Sequence, residues 1–437
     1  MRAKTVESVR DRVAFHWFWV SAVFLALCYG VVAGILQLFP YGIFASALQG
    51  YTQLRGGPEA NDTNWYYKQV RKPGPPPITN TGRAQPGLNL VTEIRGDALE
   101  VKVMDLDGNA VHRWAVDWFA IWPDASHVPE RLRPRARPGT HIDGAALLEN
   151  GDLVFNFEHL GLVRLDRDGA VVWRLPYQTH HSVWRGDDGN LWVCGQKERL
   201  QPLPGFPNLI PPFVEDTVLV VSPAGKIVGE WSVPELLRAN GRQGLLCLAS
   251  QDNFSTASSG DITHLNHVEP FPAAMKPGFF GPGDVLVSLR NINTVFVFDS
   301  KTGVMKFACT GLFVRQHDPH FVDGDTFSVF DNNNLAPAAA DHPQSRIVLV
   351  SAPSQAVRTY FSGSANHPFF TPILGRHQWL ANGNLLITDS CGGRAFELDR
   401  NLQVVWWYLN YVEEGVVGAI EQVERISGDY ASRYRRH

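Results

Sequence analysis

Residues 144–175 read GAALLENGDLVFNFEHLGLVRLDRDGAVVWRL, and this stretch decides the fold. Apolar and polar positions alternate in short runs, and Asn150-Gly151 and Asp168-Gly169 stand between the runs as turn formers. The stretch closes on the phrase Leu-Asp-x-x-Gly-x-Val-x-Trp. The same grammar returns in residues 377–409, HQWLANGNLLITDSCGGRAFELDRNLQVVWWYL, and in residues 283–307, GDVLVSLRNINTVFVFDSKTGVMKF. It is spread out over residues 181–232, from HSVWRGDDGNLWVCG to DTVLVVSPAGKIVGEW, and is weaker at 89–114 and 321–361. Each copy holds three or four short strands, a β-meander. Six copies predict an all-β chain, a six-bladed β-propeller over residues 88–411. A β-sandwich would not explain the near-constant spacing. The only competing helical signals are short pieces near Pro234–Asn240 and in the C-terminal tail, 412–437, which is expected to be a surface extension.

Composition fits this reading. Of 437 residues, 44% are hydrophobic and only 19% charged, which excludes a disordered chain, and 39 Gly with 29 Pro suit many tight turns. The net charge of −4 gives no basic field for nucleic acid. The five cysteines, Cys28, Cys194, Cys247, Cys309 and Cys391, include no CxxC pair, so a zinc finger or thioredoxin-type site is excluded.

The N-terminus is organised differently. Arg2, Lys4, Arg10 and Arg12 precede a stretch, Ala14 to Leu54, without Asp, Glu, Lys or Arg. Its apolar part, residues 14–40, exceeds the ~20 residues that span a bilayer and the ~7–15 of a signal-peptide core. An uncleaved single-pass transmembrane helix is expected, with Trp17, Trp19, Phe39 and Tyr41 near its ends. The basic residues place 1–13 in the cytoplasm and the propeller on the periplasmic side of the inner membrane. The Pro- and Gly-rich residues 41–87, with Lys72-Pro73-Gly74-Pro75-Pro76-Pro77, read as a semi-rigid connector. In that compartment the four cysteines outside the anchor either form up to two disulfides or sit as small buried hydrophobes.

The chemistry is expected at the histidines. His180-His181, His264, His317 and His377, with His141 a weaker member, precede the first strand of their repeats, so a propeller brings them together around its channel. Clustered imidazoles bind a metal or act as nucleophile and proton carriers. Arg290, beside Asn291, adds a cation that opposes a divalent metal and favours an anionic substrate, a sulfate or phosphate ester; its bland alternative is an ion pair with Glu269.

In order along the chain, Thr179-His180-His181 with DDGNLWVCG, Asp261-Ile262-Thr263-His264-Leu265-Asn266, Ser288-Leu289-Arg290-Asn291, Gln316-His317-Asp318 with Ser328-Val329-Phe330-Asp331-Asn332, and His377-Gln378 with NGNLLITD resemble the bacterial aryl-sulfate sulfotransferases. The resemblance covers about residues 140–410. It implies a six-bladed propeller that moves a sulfuryl group from a phenolic sulfate ester to a phenol without a nucleotide donor, cofactor or metal. By the resemblance, His317 is the nucleophile that is transiently sulfurylated. His264, Arg290 and His181 surround the sulfuryl group, and His180, His377, Asn266, Asn291, His320 and His267 complete the substrate pocket. Two departures stand out: Ser182 replaces the Asp of His-His-Asp, and Asn291 replaces the His of Ser-Arg-His. Two other readings compete. One is a non-catalytic propeller scaffold that binds a protein partner of the cell envelope. The other is a metal-dependent hydrolase using Asp318, Asp389 or Glu269.

Overall fold

The computed structural model describes residues 2–35, 66–69, 74–250, 255–335, 343–364 and 367–426. Two compact units are present, residues 1–62 and 63–437.

In the first unit, Arg2–Ile35 is one α-helix. Its segment Val13–Ala33 has the length and apolarity to cross a membrane; at 1.5 Å rise per residue it spans about 30 Å, the thickness of a bilayer's hydrocarbon core. Phe15, Trp17, Phe18, Phe24 and Leu27 are all exposed, a helix apolar on every side rather than amphipathic. Residues 36–40 of the expected span, with Phe39 and Tyr41, lie outside the described residues. The helix is equally consistent with an anchor and with a signal sequence.

The second unit is a β-propeller. Among the described residues, six sheets carry four antiparallel strands in up-and-down order. Blade 2 comprises Ile142–Leu147, Leu153–Phe157, Gly161–Leu165 and Val171–Leu175. Blade 3 runs from Gln178 to Ser232, blade 4 from Leu265 to Thr310, blade 5 from His317 to Ser362 and blade 6 from Arg376 to Leu409. Blade 1 differs: Leu88–Arg95, Ala98–Met104 and Ala110–Val116 supply three strands, and Ile420–Ile426 supplies the innermost one. Val423 pairs with Val91 and Ile426 with Leu88. This corrects the expectation that 412–437 is an external tail: residues 420–426 belong to the propeller and are buried almost throughout. Part of the expected connector also joins sheets. Tyr67–Gln69 pairs with Val416–Gly418, and Ile78–Asn80 adds a fifth strand to blade 6. The expected helical piece is present as Val233–Ala239, with Ser232 as its N-cap.

The recurring phrase has a double purpose. Its Asp closes the turn before the outermost strand: Asp166 Oδ1 accepts from the N–H groups of Asp168 and Ala170, Asp105 Oδ1 from Asp107 and Asn109, and Asp399 Oδ1 from Asn401 and Gln403. Its Trp then links blades. Trp114 donates to the Asp166 carbonyl of blade 2 at 2.9 Å, Trp173 to the Pro223 carbonyl of blade 3 at 2.9 Å, and Trp406 to the Leu106 carbonyl of blade 1 at 2.8 Å. Trp406→Phe keeps the apolar bulk but leaves the Leu106 carbonyl unpaired. The expected cost is about 1–2 kcal/mol, read as a lowered thermal midpoint, with Trp407→Phe, whose indole donates at 3.2 Å to the exposed Pro76 carbonyl, as the milder comparison. All five cysteines are free thiols; of the four outside the helix only Cys194 is fully buried, and Cys247, Cys309 and Cys391 are partly exposed, so the buried-hydrophobe alternative holds for Cys194 alone. Burial pushes Cys194, Cys309 and Cys391 up to about 12, which makes them poor nucleophiles.

Candidate active site

The innermost strands of blades 2 to 5 carry an irregularity at the same place, a β-bulge between Ile142 and Gly144, His180 and Val183, Leu265 and His267, and His317 and His320. At two of these bulges a non-glycine residue sits in the left-handed region, His181 (φ 51°) and Asp318 (φ 47°), and just before a third so does His264 (φ 54°). Such backbone costs about 1 kcal/mol or more per residue and re-aims the side chains around it. Gly144 is the one bulge position where only glycine fits, because a Cβ there would meet the His181 carbonyl oxygen at 2.1 Å.

Four of the expected histidines come together. The ring of His181 lies 5.9 Å from that of His317, 5.0 Å from His264 and 5.1 Å from His180, centroid to centroid. All four are buried. Arg290 follows the second strand of blade 4, its N–H bonded to the His264 carbonyl at 3.0 Å, and its charge acts on His317 and Asp261. Asn291 is tied down as well: its amide donates to the Asp261 carbonyl at 2.8 Å and its Oδ1 accepts from Arg315 and Arg290. The Glu269 pairing considered for Arg290 is not formed; Glu269 bonds His320 instead.

Within this cluster His317 has a distinctive arrangement. Its Nδ1 lies 2.7 Å from Asn332 Oδ1 and 3.1 Å from the Arg315 carbonyl oxygen. The Asn332 amide donates to the carbonyls of Thr371 and Leu374, so Oδ1 must face His317 as an acceptor. Both partners of Nδ1 accept, which places the proton on Nδ1. Nε2 is buried and has no hydrogen-bond partner. Burial, with the Arg290 charge next, pushes His317 down to about 3, so the ring is neutral over the physiological range and Nε2 keeps its lone pair.

The neighbours are held by carboxylates. Asp261 Oδ2 bonds His264 Nδ1, and the His264 and Arg290 charges hold Asp261 well below the usual carboxylate range against its burial. The acid missing after His180-His181 is supplied from blade 2. Asp143 Oδ2 accepts the His181 N–H at 2.9 Å and lies 3.7 Å from His181 Nδ1, while its Oδ1 is 3.2 Å from His141 Nε2. Ser182 points elsewhere, accepting from the Val268 N–H at 3.0 Å. Asp216, which accepts from the Leu265 N–H at 2.9 Å and from the Thr263 hydroxyl, is pushed up by burial and by Asp261 beside it. The His159 ring lies 4.9 Å from that of His180, tilted by 48°.

Other expected site residues are placed differently. His267, His320 and His377 gather around Asp318 and Glu269 in a second cluster, with His320 and His377 ring centroids 4.9 Å apart. Asn266 straps blades 4 and 5, donating to the Gln316 carbonyl at 2.7 Å. His141 belongs with Asp143, Glu158 and Glu421. Asp389 pairs with Arg394 at 2.9 Å and belongs to none of the metal-competent groups among the described residues. The second cluster borders a cavity of about 790 Å³ whose walls include Trp184, Glu269, His320, Arg376 and Trp379. Sequence reasoning assigned no role to Asp143, Asp216, His159 or Arg376. Asp143 carried a usable signal, since it sits at the strand-start position of its own repeat.

Four buried histidines from three blades, with Arg290 and the carboxylates of Asp143 and Asp261 beside them, bring together a nucleophile, proton carriers and a cation, the groups that transfer chemistry on an anion requires. The family comparison agrees: the Arylsulfotransferase (ASST) family model matches residues 144–411, and the chain belongs to that family. Membership supports an aryl sulfotransferase activity. The comparison with curated proteins gives no match. Among solved structures, the chain is similar to a protein of unknown function from Bacteroides caccae, at 14% identity and TM-score 0.47 over 76% of this chain and 98% of that one. It is also similar to virginiamycin B lyase from Staphylococcus aureus, at 10% identity and TM-score 0.38 over 81% and 99%. A third is the Cps50 (Swd1) β-propeller domain of Myceliophteria thermophila, at 9% identity and TM-score 0.41 over 80% and 100%.

Proposed function

We propose that this chain is a membrane-anchored sulfotransferase that moves a sulfuryl group from a phenolic sulfate ester to a phenol through a sulfo-histidine at His317. The observation that carries the reading is the His317 ring itself, neutral, with Nδ1–H fixed by Asn332 and the Arg315 carbonyl and Nε2 unpartnered. Nε2 attacks sulfur, the S–O(aryl) bond breaks, and the phenolate leaves. An acceptor phenol then attacks the N-sulfo group, which returns the electron pair to Nε2. Arg290 offers positive charge, and the His181 and His264 rings N–H donors, to the sulfuryl oxygens as charge spreads over them. His264, backed by Asp261, is the proton carrier that serves the leaving phenolate and then the acceptor hydroxyl. The apolar N-terminal helix would hold the propeller on the periplasmic face of the inner membrane.

The test is nitrophenolate release from 4-nitrophenyl sulfate by the full chain in detergent, with phenol and EDTA present. Release that depends on acceptor and survives EDTA is expected, together with a single sulfuryl adduct, trapped by rapid quench without acceptor, on the peptide that contains His317. No release from a panel of aryl sulfates would leave the partner-binding scaffold as the better reading, and EDTA-sensitive release would point to metal chemistry.

The placement of the proton gives two further expectations. Because His317 must be unprotonated to attack and is pushed down to about 3, its loss should appear only as pH falls toward that value. The rate of the first half-reaction should show no acid limb from His317 near the ordinary imidazole value of about 6.5. Asn332→Leu frees the ring to take either tautomer and orientation. Asn332 is a positioning residue, so the expected result is a kcat lowered about 10- to 100-fold with KM little changed, measured by initial rates.

A further inference from the structure

The second histidine cluster takes no part in the sulfuryl transfer just described. His267 and Glu269 stand two residues apart on the innermost strand of blade 4, and Asp318 and His320 two apart on that of blade 5. His267 and Glu269 lie beyond the bulge of their strand and so face the same way, while Asp318, turned by the left-handed backbone of its own bulge, reaches His320 Nε2 at 2.9 Å. His267 is 1% exposed, yet neither ring nitrogen has a hydrogen-bond partner. Nε2 lies 3.5 Å from Glu269 Oε2, and Nδ1 lies 3.5 Å from Asp318 Oδ1. A buried imidazole with both nitrogens aimed at carboxylates and bonded to neither is costly to leave so.

We propose that His267, Glu269 and His320 form a binding site for a first-row divalent metal ion, with Asp318 as the carboxylate behind the histidines. One donor atom from each of the three lies within 4.8 Å of the others. The 3.5 Å from His267 Nε2 to Glu269 Oε2 matches the edge of about 3.4 Å in a tetrahedron with bonds of about 2.1 Å to zinc. His320 Nδ1 is 2.7 Å from Glu269 Oε2; the metal takes the place of the proton between them, and that edge opens. The other nitrogen of His320, Nε2, lies 2.9 Å from Asp318 Oδ2. Asp318 thus orients His320, and faces His267 Nδ1, as outer carboxylates do for metal-bound imidazoles. Two imidazoles and one carboxylate suit zinc and its neighbours rather than calcium or magnesium, which prefer all-oxygen shells. Glu269 and His320 border the 790 Å³ cavity, so the fourth position opens onto it, and Trp184 packs against both histidine ligands, 5.2 Å from His320 and 6.1 Å from His267. His377 offers Nδ1 alone, its Nε2 being committed to the Ser328 hydroxyl at 2.7 Å; with Asp318 and His320 it makes an overlapping group, and the group with Glu269 is preferred because His267 has both nitrogens unpartnered.

The experiment uses the full chain in detergent, stripped of metal by a chelator and dialysed. Zinc is titrated against a chromophoric chelator, and cobalt is added to a second sample for its visible spectrum. The expected result is one zinc per chain, displaced by neither calcium nor magnesium, and the intense visible bands of tetrahedral cobalt. His267→Ala and Glu269→Gln should each weaken zinc at least about 100-fold, and Asp318→Asn about 10- to 100-fold. His141→Ala, in the separate group with Asp143 and Glu421, should leave zinc affinity unchanged. Absence of stoichiometric zinc, weak octahedral cobalt bands in the unmutated chain, or a loss caused by His141→Ala but not by His267→Ala would overturn the proposal. The cobalt spectrum needs no variant, so a misfolded mutant does not blunt the test. Sulfuryl transfer that survives EDTA while the zinc site is emptied would show that the two sites act separately.

Discussion

Replacing His317 by alanine is expected to lower kcat for sulfuryl transfer on the order of 10⁴-fold or more. A covalent route needs an electron pair aimed at sulfur, and alanine leaves none; losses of this size are what removal of a nucleophile causes in other covalent enzymes. The variant should fold, since the ring makes two hydrogen bonds and is not part of the apolar cores between blades. What it leaves is an unpaired Asn332 oxygen, a cost of about 1–3 kcal/mol. His317→Gln narrows the interpretation by keeping a donor of similar reach while lacking the nucleophile. Both variants should show neither the nitrophenolate burst nor the sulfuryl adduct, and far-ultraviolet dichroism should match the parent. Arg290→Ala should retain the adduct but form it about 10²- to 10³-fold more slowly, the usual cost of one lost donor to a developing anion. Rates for His317→Ala within tenfold of the parent would remove His317 from the chemistry and move attention to His264 or His181.

The second large effect concerns stability. A chain ending at residue 419 should fail to give a cooperative thermal transition. It loses Ile420, Val423 and Ile426, which are buried against blade 1 and its neighbours. Each such side chain contributes about 1.5–3 kcal/mol on burial, about 5–9 kcal/mol together, against a net stability of about 5–15 kcal/mol for a typical domain. The same strand carries Arg425, which donates to Asn89 at 2.8 Å and pairs with Glu397 of blade 6 at 3.0 Å, and Gln422, whose amide bridges to Ala145 of blade 2. Its loss unpicks blade 1 from both neighbours. Loss of the near-ultraviolet dichroism of Trp114 and Trp406 and of the calorimetric peak is the expected observation. A sharp melt within a few degrees of the full chain would mean that the ring closes by other contacts.

The repeat was legible because the physics that builds each blade leaves a fixed phrase. An Asp must cap the turn and a Trp must reach the next blade, so Asp166 with Trp173 and Asp399 with Trp406 recur at constant spacing. The closing strand was not legible for the same reason. Its repeat is split, with Ile420–Ile426 more than 300 residues from Leu88–Met104, and a blade short of one strand reads only as a weak copy. The four histidines that gather around His181 share a position in the repeat, at or near the start of an innermost strand, and that shared position is readable in the sequence. His320 and His267 stood one pleat further on, and only the bulges decide which side chains reach His181 and which turn toward Glu269. Ser182 leaves the expected place without a carboxylate, and although Asp143 stands at a strand start of its own repeat, its reach to His181 of the next blade is visible only in the structure.

The joining of the two ends of the propeller in blade 1 also governs how the protein is made. Ribosomes deliver Leu88–Met104 early and Ile420–Ile426 among the last residues of the ring. Until then the inner edge of Leu88–Arg95, with its apolar Leu90, Val91 and Ile94, stands open as a template for any extended chain nearby. During synthesis this nascent edge is where a chaperone would be most needed, and where premature termination would leave a chain prone to aggregate rather than merely inactive.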